Sequence, residues 1–282
     1  MISAYKTALV GLVLAMAFGA NAGGTTAQSP ESQVEPIRAY RVDFRDTLFT
    51  VCEVDLTQCQ LRLFWRDENK QDFRTLRGLR SYLESQGENL LLATNAGIYT
   101  TAFKPLGLHV EEGKQLMRLN RGRGGRGNFT LLPNGVFYVR TDGKPGILET
   151  EAFAAAAPSV RLATQSGPLL VLDGALHPKF QEGSDSKYYR SGVGVLDNDT
   201  VVFAISNAPV NLYDFGLFFL EQLRCRNALY LDGTISQMYL PALGRNELGG
   251  PFVGILAVTQ PNTAAVAQST GDIIKKAPQA AE

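Results

Sequence analysis

Polar residues interrupt four apolar, β-rich runs of the sequence at the points where strands are expected to end. They are Asn95 and Gly97 in LLLATNAGIY, Gln165, Ser166 and Gly167 in LATQSGPLLV, Arg190 and Ser191 in YYRSGVGV, and Asp232, Gly233, Thr234 and Ser236 in LYLDGTISQMY. Carboxylate, amide, hydroxyl and guanidinium groups at the edge of a rigid sheet are usual components of a binding or catalytic site. Taken singly, each segment is also explained as an ordinary turn.

The sequence gives little support for a Ser-His-Asp hydrolase. It contains two histidines, His109 and His177, and no G-x-S-x-G segment. His109 alternates with apolar residues after a Pro-Leu-Gly turn, which fits either a strand histidine with satisfied hydrogen bonds or the wall of a pocket. His177 precedes a proline in a loop, and we expect it at the surface.

A glycine-rich loop, RGRGGRGN, matches the spacing of a dinucleotide-binding G-x-G-x-x-G motif. That motif requires a strand before it and a helix after it, whereas NFTLLPNGVFYV follows here and predicts a hairpin. The pattern therefore excludes a Rossmann site. The loop carries three arginines, which either contact an anionic substrate or are simply solvated: Arg121, Arg123 and Arg126.

The three cysteines have different predicted roles. Cys52 and Cys59 lie in two alternating apolar runs around a short polar turn, and paired strands there would bring their side chains together. We expect a disulfide between them, with two reduced cysteines as the alternative. Cys225 lies in an apolar helical segment and is expected to be a buried, inert thiol.

Metal and cofactor chemistry have little support in the sequence. There is no C-x-x-C pair, EF-hand loop or other spaced acidic motif. Asp232 could serve as a calcium ligand together with asparagine and backbone oxygens, but a site without metal or cofactor is the preferred interpretation. Chelation before assay separates the two.

Composition limits the class of partner. Lys plus Arg and Asp plus Glu number 27 each among 282 residues, so the net charge is zero at pH 7. This balance gives no reason to expect a nucleic acid or an anionic membrane as partner. Any recognition of phosphate must therefore be local, and the oligomeric state is left open.

The termini predict an exported protein. Residues 1–22 have the charged start, apolar run and Ala-Asn-Ala cleavage site of a signal peptide, without the length of a membrane anchor. Residues 23–37 and 261–282 are predicted to be flexible, with one folded domain over residues 38–260. We expect a periplasmic or secreted protein that keeps no stable membrane anchor after signal cleavage.

The elements that must position these residues are mostly short strands. Helical periodicity is limited to the segment of Leu76, Leu79 and Leu83, the segment Phe215–Leu223 with Asn211 as its cap, and an alanine-rich stretch near residues 149–157. This distribution predicts an α+β fold, a single domain with a mixed, largely antiparallel β-sheet core and a few flanking helices.

Together and in this order, the four polar segments resemble the phosphodiester glycosidase domain. The similarity runs from about Tyr40 to Thr259 and includes GNFTLLPNGVFYV. It implies a hydrolase that cleaves the glycosidic bond of a sugar-1-phosphodiester, such as an N-acetylglucosamine-1-phosphodiester, and releases free sugar. One departure affects the pocket: better-known members carry an Asp-Gly-Gly-Gly-Ser type motif where this chain has Asp232-Gly233-Thr234-Ile235-Ser236.

The resemblance and the chemistry of the reaction assign roles to the segments. A phosphate leaves as a stable anion, so one carboxylate and one cation could suffice where other glycosidases need two carboxyl groups. Asp232 would stabilise the cationic sugar or activate water, and Arg190 would hold the phosphate through two hydrogen bonds. The remaining polar residues would position a phosphorylated saccharide, and the glycines would let backbone amides approach it: Asn95, Gly97, His109, Gln165, Ser166, Gly167, Ser191, Gly233, Thr234 and Ser236.

Two functions of other classes compete with hydrolysis. A non-catalytic binder of envelope glycans or phosphorylated saccharides would use the same amide and arginine groups without turnover. An interaction protein would instead present the segment Phe215–Leu223 to a partner, although four large apolar residues on one stripe usually lie in a core.

Overall fold

Most of the predicted β-rich segments form strands. The computed structural model describes residues 35–233 and 235–262, all within one compact unit. The predicted signal peptide, nearly all of the predicted C-terminal tail and Thr234 lie outside the described residues. The predicted boundaries of the flexible termini and of the folded domain therefore stay predictions.

The strands pair with their neighbours in antiparallel fashion. They are β1 (Ile37–Phe44), β2 (Thr47–Asp55), β3 (Gln60–Phe64), β4 (Glu88–Asn95), β5 (His109–Glu111), β6 (Lys114–Met117), β7 (Gly135–Arg140), β8 (Pro145–Glu149), β9 (Val160–Ser166), β10 (Leu169–Leu172), β11 (Ala175–Leu176), β12 (Ser191–Val195), β13 (Thr200–Ser206), β14 (Asn227–Asp232), β15 (Met238–Leu240), β16 (Arg245–Asn246) and β17 (Ile255–Pro261). In the described part of the chain they form sheets of seven (β1-β2-β13-β12-β14-β10-β11), five (β16-β15-β4-β17-β3) and five strands (β6-β5-β9-β7-β8).

Short helices cover the sheets, as the 3.6-residue periodicity predicts. They are α1 (Leu76–Ser85), α2 (Thr150–Ala156) and α3 (Leu212–Leu217), and α3 continues into a π-helical turn over Phe218–Gln222. Leu76, Leu79 and Leu83 of α1 are all fully buried. The Asn211 side chain accepts a hydrogen bond from Asp214 N at 2.8 Å and caps α3 as predicted.

The largest cluster of buried apolar residues joins all three sheets. It combines Phe203 and Leu229 of the seven-stranded sheet with Leu92 and Leu256 of the second sheet and Phe137 of the third. Helix α3 and its π turn cover the opposite face of the seven-stranded sheet. The α+β fold with a largely antiparallel core is thereby confirmed.

The apolar stripe around α3 belongs to the core. Phe215, Phe218 and Phe219 are fully buried, and Leu223 is nearly so. Phe215 and Phe219 contact each other edge to face with their ring centroids 5.3 Å apart. This burial removes the basis for an interaction protein that presents this stripe to a partner.

Cys52 and Cys59 are free thiols, which corrects the predicted disulfide. The prediction placed the two strands side by side, whereas β2 pairs with β1 and β13, and β3 pairs with β17 in another sheet. Cys59 Sγ instead lies 3.3 Å from the Asp55 carbonyl oxygen. Burial raises the pKa of Cys52 to about 12 and that of Cys59 to about 11, so both thiols stay protonated near neutral pH.

Two further local predictions are wrong. The segment Asn128–Thr130 forms a 3₁₀ turn rather than the first strand of a hairpin, and β7 pairs with β8 instead. His177 is 3% exposed rather than at the surface, because its ring stacks on Phe180 with the centroids 4.6 Å apart. Cys225 is buried as predicted.

Candidate functional site

Three strand ends bring polar side chains from distant parts of the sequence into contact. Asn95 ends β4, Ser191 begins β12 and Asp232 ends β14. Asn95 Nδ2 donates to Ser191 Oγ at 2.9 Å, and Ser236 Oγ lies 3.2 Å from Ser191 Oγ. The structure thus joins residues from three of the four segments in one hydrogen-bonded group.

Asp232 lies at the edge of this group and is partly exposed. Its Oδ1 accepts a hydrogen bond from Gly233 N at 2.6 Å, and its backbone oxygen accepts one from Ser236 Oγ at 2.7 Å. The Tyr99 hydroxyl donates to the Pro251 carbonyl oxygen at 2.7 Å. Burial raises the pKa of Tyr99 and the nearby charge of Asp232 raises it further, so this phenol stays protonated beside the carboxylate.

A β-bulge sets the direction of the Asp232 segment. Ser191 pairs with Asp232 and Gly192 with Tyr230, so Leu231 has no opposite residue on β12. Leu231 packs in the core between the sheets, while Tyr230 packs on the α3 side. The extra residue therefore places Asp232 opposite Ser191, while Leu231 and Tyr230 keep to opposite faces of the sheet.

Arg190 lies beneath the Asp232–Gly233 turn and is 1% exposed. Its Nε donates to Val210 O at 2.7 Å, and its two terminal nitrogens donate to the Tyr230 hydroxyl at 3.0 Å and to Ser186 O at 2.8 Å. All of these acceptors are uncharged. The guanidinium is thus held rigidly as a buried positive charge.

Burial is the main cause of the pKa shifts of Arg190 and Tyr230. Desolvation lowers the pKa of Arg190, while Tyr230 beside it raises that pKa. Desolvation also raises the pKa of Tyr230 above its ordinary value, against the effect of the Arg190 charge. Tyr230 therefore keeps its proton, and Asn128 Nδ2 donates to the same hydroxyl at 3.3 Å.

The Gln165 side chain forms its hydrogen bonds with other protein groups. Its Oε1 accepts from Leu108 N at 3.0 Å and from Asn120 N at 2.9 Å, and its Nε2 donates to Asn120 O at 2.8 Å and Thr150 Oγ1 at 3.0 Å. All four hydrogen-bonding positions of the amide are occupied. Gln165 therefore fixes the start of the glycine-rich loop.

Ser166 connects the third sheet to the Asp232 strand, and Gly97 connects the same sheet to the segment that follows β4. Ser166 Oγ donates to Leu231 O at 3.1 Å and is fully buried. Gly97 N donates to Thr164 Oγ1 at 3.2 Å, and a Cβ at position 97 would overlap the Gln165 carbonyl oxygen. The glycine is required for this close approach of two backbones.

His109 and Gly167 have similar supporting positions. His109 is 1% exposed, and its Nε2 lies 2.7 Å from Glu111 Oε1. Gly167 packs against Asn134, where a Cβ would come within 2.6 Å of the Asn134 Cβ. The predicted contacts of Gln165, Ser166, Gly167 and His109 with substrate remain predictions.

The three arginines of the glycine-rich loop are exposed. Arg121 pairs with Glu151, whose pKa is lowered by that hydrogen bond. Arg123 and Arg126 follow on the same loop, which leads to Asn128 and so reaches the Tyr230 hydroxyl. The loop thus ends at the site, although its arginines lie in solvent.

A pocket beside the hydrogen-bonded group of Asn95, Ser191 and Ser236 was not predicted from the sequence. We call it the Arg245 pocket; it has a volume of about 420 Å³ and is lined by Tyr189, Asn207, Ser236, Gln237, Arg245 and Glu247. Ser236 belongs to both the pocket and the Asn95–Ser191 contact. No local pattern marks Arg245 as a pocket residue, because two of its hydrogen-bond partners, Thr50 and Asn207, lie far away in the sequence.

Three further residues of the site were not predicted, although each lies in a segment that was predicted to carry the site. Tyr99 and Tyr230 lie in LLLATNAGIY and LYLDGTISQMY, and Asn128 lies in GNFTLLPNGVFYV. Their apolar or turn-forming neighbours made them indistinguishable from core and loop residues. Only the fold reveals that they surround Arg190 and Asp232.

The described residues offer neither a cluster of metal ligands nor a membrane-spanning helix. Within residues 35–233 and 235–262, no group of three or more His, Cys, Asp or Glu side chains is arranged to hold a metal ion. In the same residues, no helix combines the length and apolar character needed to cross a membrane.

Comparison with known proteins identifies relatives of this chain. The sequence model of the phosphodiester glycosidase family matches residues 88–270. The uncharacterized protein YigE of Escherichia coli (strain K12) is 37% identical over 199 residues, which cover 71% of this chain and 77% of YigE.

Two solved structures share the fold. The catalytic domain of zebrafish N-acetylglucosamine-1-phosphodiester alpha-N-acetylglucosaminidase, auto-inhibited by pro-peptide, matches with a TM-score of 0.57 and 17% identity, over 82% of this chain and 85% of that one. A hypothetical protein from Synechocystis matches with a TM-score of 0.50 and 17% identity, over 81% of this chain and 63% of that one. From the family match and the identity to YigE, this chain belongs to the phosphodiester glycosidase family.

Proposed function

We propose that the protein hydrolyses the glycosidic bond of a sugar-1-phosphodiester, with an N-acetylglucosamine-1-phosphodiester as the closest substrate type. One observation carries the proposal: in a member of this family, a partly exposed carboxylate at the end of β14 lies beside a group of hydrogen-bonding side chains from β4 and β12. Water would add to the anomeric carbon, the bond from that carbon to the phosphate oxygen would break, and the products would be free sugar and a phosphate monoester.

Asp232 is the proposed catalytic carboxylate. Its Oδ1 is oriented by Gly233 N at 2.6 Å, and its position opposite Ser191 is set by the β-bulge. A carboxylate at this edge can stabilise positive charge on the sugar ring or accept a proton from the attacking water. Ser236 supplies a hydroxyl for the sugar or the phosphate, and the buried Ser191 and Asn95, which are 1% and 2% exposed, hold it in place.

Arg190 is the proposed cation for the phosphate. The two hydrogen bonds to phosphate predicted from the sequence require ligand atoms to reach a side chain that is 1% exposed. We therefore propose that Arg190 acts from behind the Asp232–Gly233 turn as a fixed positive charge. Preorganised charge in a site from which water is excluded stabilises a developing anion without reorganisation during the reaction.

The location of the protein is part of the proposal. Residues 1–22 have the pattern of a signal peptide, so we propose that the mature chain begins near Gly23 and acts in the periplasm or outside the cell on a phosphorylated saccharide. No nucleic acid partner, metal or cofactor is part of the proposed mechanism.

The test is release of free sugar from an N-acetylglucosamine-1-phosphodiester by the mature protein. Asp232→Asn keeps the size of the side chain and removes its charge, and we expect turnover to fall by about 100-fold or more, the scale of a lost acid-base or electrostatic group. Asp142→Asn is the matched control, because Asp142 is an exposed residue in the turn between β7 and β8. We expect the control to match the wild type.

Two results would count against this assignment. Full turnover by Asp232→Asn would remove the carboxylate from the mechanism. Saturable binding of the diester without any turnover by the wild type would favour a non-catalytic binder. A parallel assay with chelator is expected to show unchanged turnover, and a loss would reveal a metal at the carboxylate.

A further inference from the structure

The Arg245 pocket is balanced in charge. Arg245 donates to Glu247 Oε1 at 2.8 Å, and the other oxygen of Glu247 accepts from Met238 N at 2.8 Å. The cation is thus neutralised within the pocket wall, unlike Arg190, whose hydrogen-bond acceptors are uncharged. Such a wall suits an uncharged ligand better than a phosphate.

The pocket also has hydrogen-bonding capacity that the described protein groups leave unused. Asn207 Oδ1 accepts from Arg245 at 2.6 Å and from Thr50 Oγ1 at 3.0 Å, which fixes the orientation of the amide. The amide nitrogens Asn207 Nδ2 and Gln237 Nε2 donate to no group among the described residues, and neither is a buried atom. Both are donors that an oxygen atom of a ligand in the pocket can reach.

An exposed aromatic ring forms the rim. Tyr189 is 53% exposed, and the neighbouring Tyr188 is 51% exposed. Tyrosine offers both an apolar face and a hydroxyl, which suits the mixed surface of a sugar or polyol. A neutral wall, two unused amide donors and an aromatic rim all point to the same ligand chemistry.

We propose that the Arg245 pocket binds an uncharged, hydroxyl-bearing group of the substrate, namely the alcohol esterified to the phosphate. A hydroxyl oxygen can accept a hydrogen bond from Asn207 Nδ2 or Gln237 Nε2, and the aromatic rim can pack on the carbon atoms that carry the hydroxyl groups. Ser236 connects the pocket to the group beside Asp232, where the sugar whose bond breaks must lie. The placement of the sugar beside Asp232 and of the alcohol in the pocket rests on the proposed function, whereas the ligand chemistry of the pocket does not.

The experiment compares three diesters of N-acetylglucosamine-1-phosphate that differ only in the alcohol: methanol, glycerol or a hexose. We expect the wild type to hydrolyse at least one hydroxylated diester with kcat/KM about tenfold above the methyl diester, the scale of one or two hydrogen bonds. The glycerol and hexose arms decide between a polyol and a sugar ring. Gln237→Leu should abolish this preference, and the exposed Gln58→Leu should retain it as the matched control.

Equal kcat/KM for all three diesters in the wild type would overturn the pocket assignment while leaving the hydrolase itself established. If Gln237→Leu fails to fold, Tyr189→Ala on the exposed rim replaces it and should also reduce the preference. If no diester is hydrolysed, the proposed function fails, and ligand-observed NMR with glycerol and methyl glucoside decides the pocket. Binding lost in Gln237→Leu and kept in Gln58→Leu would support the assignment; absent or equal binding in the two variants would refute it.

Discussion

Gly233 is the residue at which the turn after the proposed carboxylate packs on the buried cation. A Cβ at this position would overlap the Tyr230 hydroxyl and come within 3.2 Å of an Arg190 terminal nitrogen. The turn after Asp232 therefore sits directly on the Arg190–Tyr230 pair. Neither partner can retreat, because Arg190 is 1% exposed and Tyr230 is fully buried.

Gly233→Ala is expected to lower the free energy of unfolding by about 1–3 kcal/mol, the usual cost of an added group in a packed site. Chemical denaturation measures it. Gly124→Ala is the matched control, since a Cβ there meets nothing within 4 Å. Tyr230→Phe removes the overlapping hydroxyl, so the loss of unfolding free energy in the double variant should be smaller than the sum of the losses in the two single variants. Additive losses would contradict the overlap.

The residues that carry the site were predictable in part. Asn95, Ser191, Asp232 and Ser236 were predicted from polar residues at strand ends, and the structure brings them together. The engagement of Gln165 by backbone groups was not predictable, because Leu108 and Asn120 lie 57 and 45 residues away in the sequence. Arg245 reaches Asn207 across 38 residues, and no local pattern encodes that contact.

At the scale of elements, the segment that begins α3 holds Arg190 in place. Val210 O, just before the helix, accepts from Arg190 Nε at 2.7 Å, and Asn211 caps the helix through Asp214 N at 2.8 Å. The start of the helix and the position of the buried cation are therefore coupled.

Asn211→Ala is expected to reduce the free energy of unfolding by about 1–2 kcal/mol, because the cap hydrogen bond is lost and Asp214 N is left without it. Asn211→Ser is the control, since serine also caps helices and should recover most of the loss. The same denaturation series measures both variants. Equal losses for alanine and serine would show that the cap contributes little.

Helices were easier to predict than strand partners. Leu76, Leu79 and Leu83 recur at helical spacing and are all buried on one face, so local sequence determines α1. The pairing of β2 with β13 joins residues far apart in the chain, and nothing in the segment around Cys52 and Cys59 reveals it. The wrong disulfide prediction came from assuming that neighbours in sequence are neighbours in a sheet.

For the whole molecule, His177 links folding to pH. The ring is 3% exposed, its Nδ1 accepts from Lys179 N at 3.2 Å, and burial lowers its pKa below the ordinary value of 6.5. The unfolded chain therefore binds a proton at His177 more readily than the folded protein does. The stabilisation from the neutral ring is complete above pH 6.5 and is lost as pH falls through the folded pKa.

We expect the free energy of unfolding to decrease as the pH falls from 6.5 toward about 5, before most carboxylates titrate. His177→Gln should show a shallower decrease, because glutamine cannot take up the proton. His109 is present in both proteins, so the difference between the two curves reports His177. Parallel curves would mean that the burial of His177 does not affect its protonation.

The Arg245 side chain is carried by β16, the edge strand of its five-stranded sheet, which follows the short turn Pro241–Leu243. Asp232 and Ser191 are carried by interior strands of the seven-stranded sheet. Insertions or exchanges in an edge hairpin leave interior strands in place, so the two halves of the site can evolve at different rates. Grafting residues 238–247 between relatives is therefore a direct way to change the proposed alcohol pocket while the proposed catalytic carboxylate stays in place.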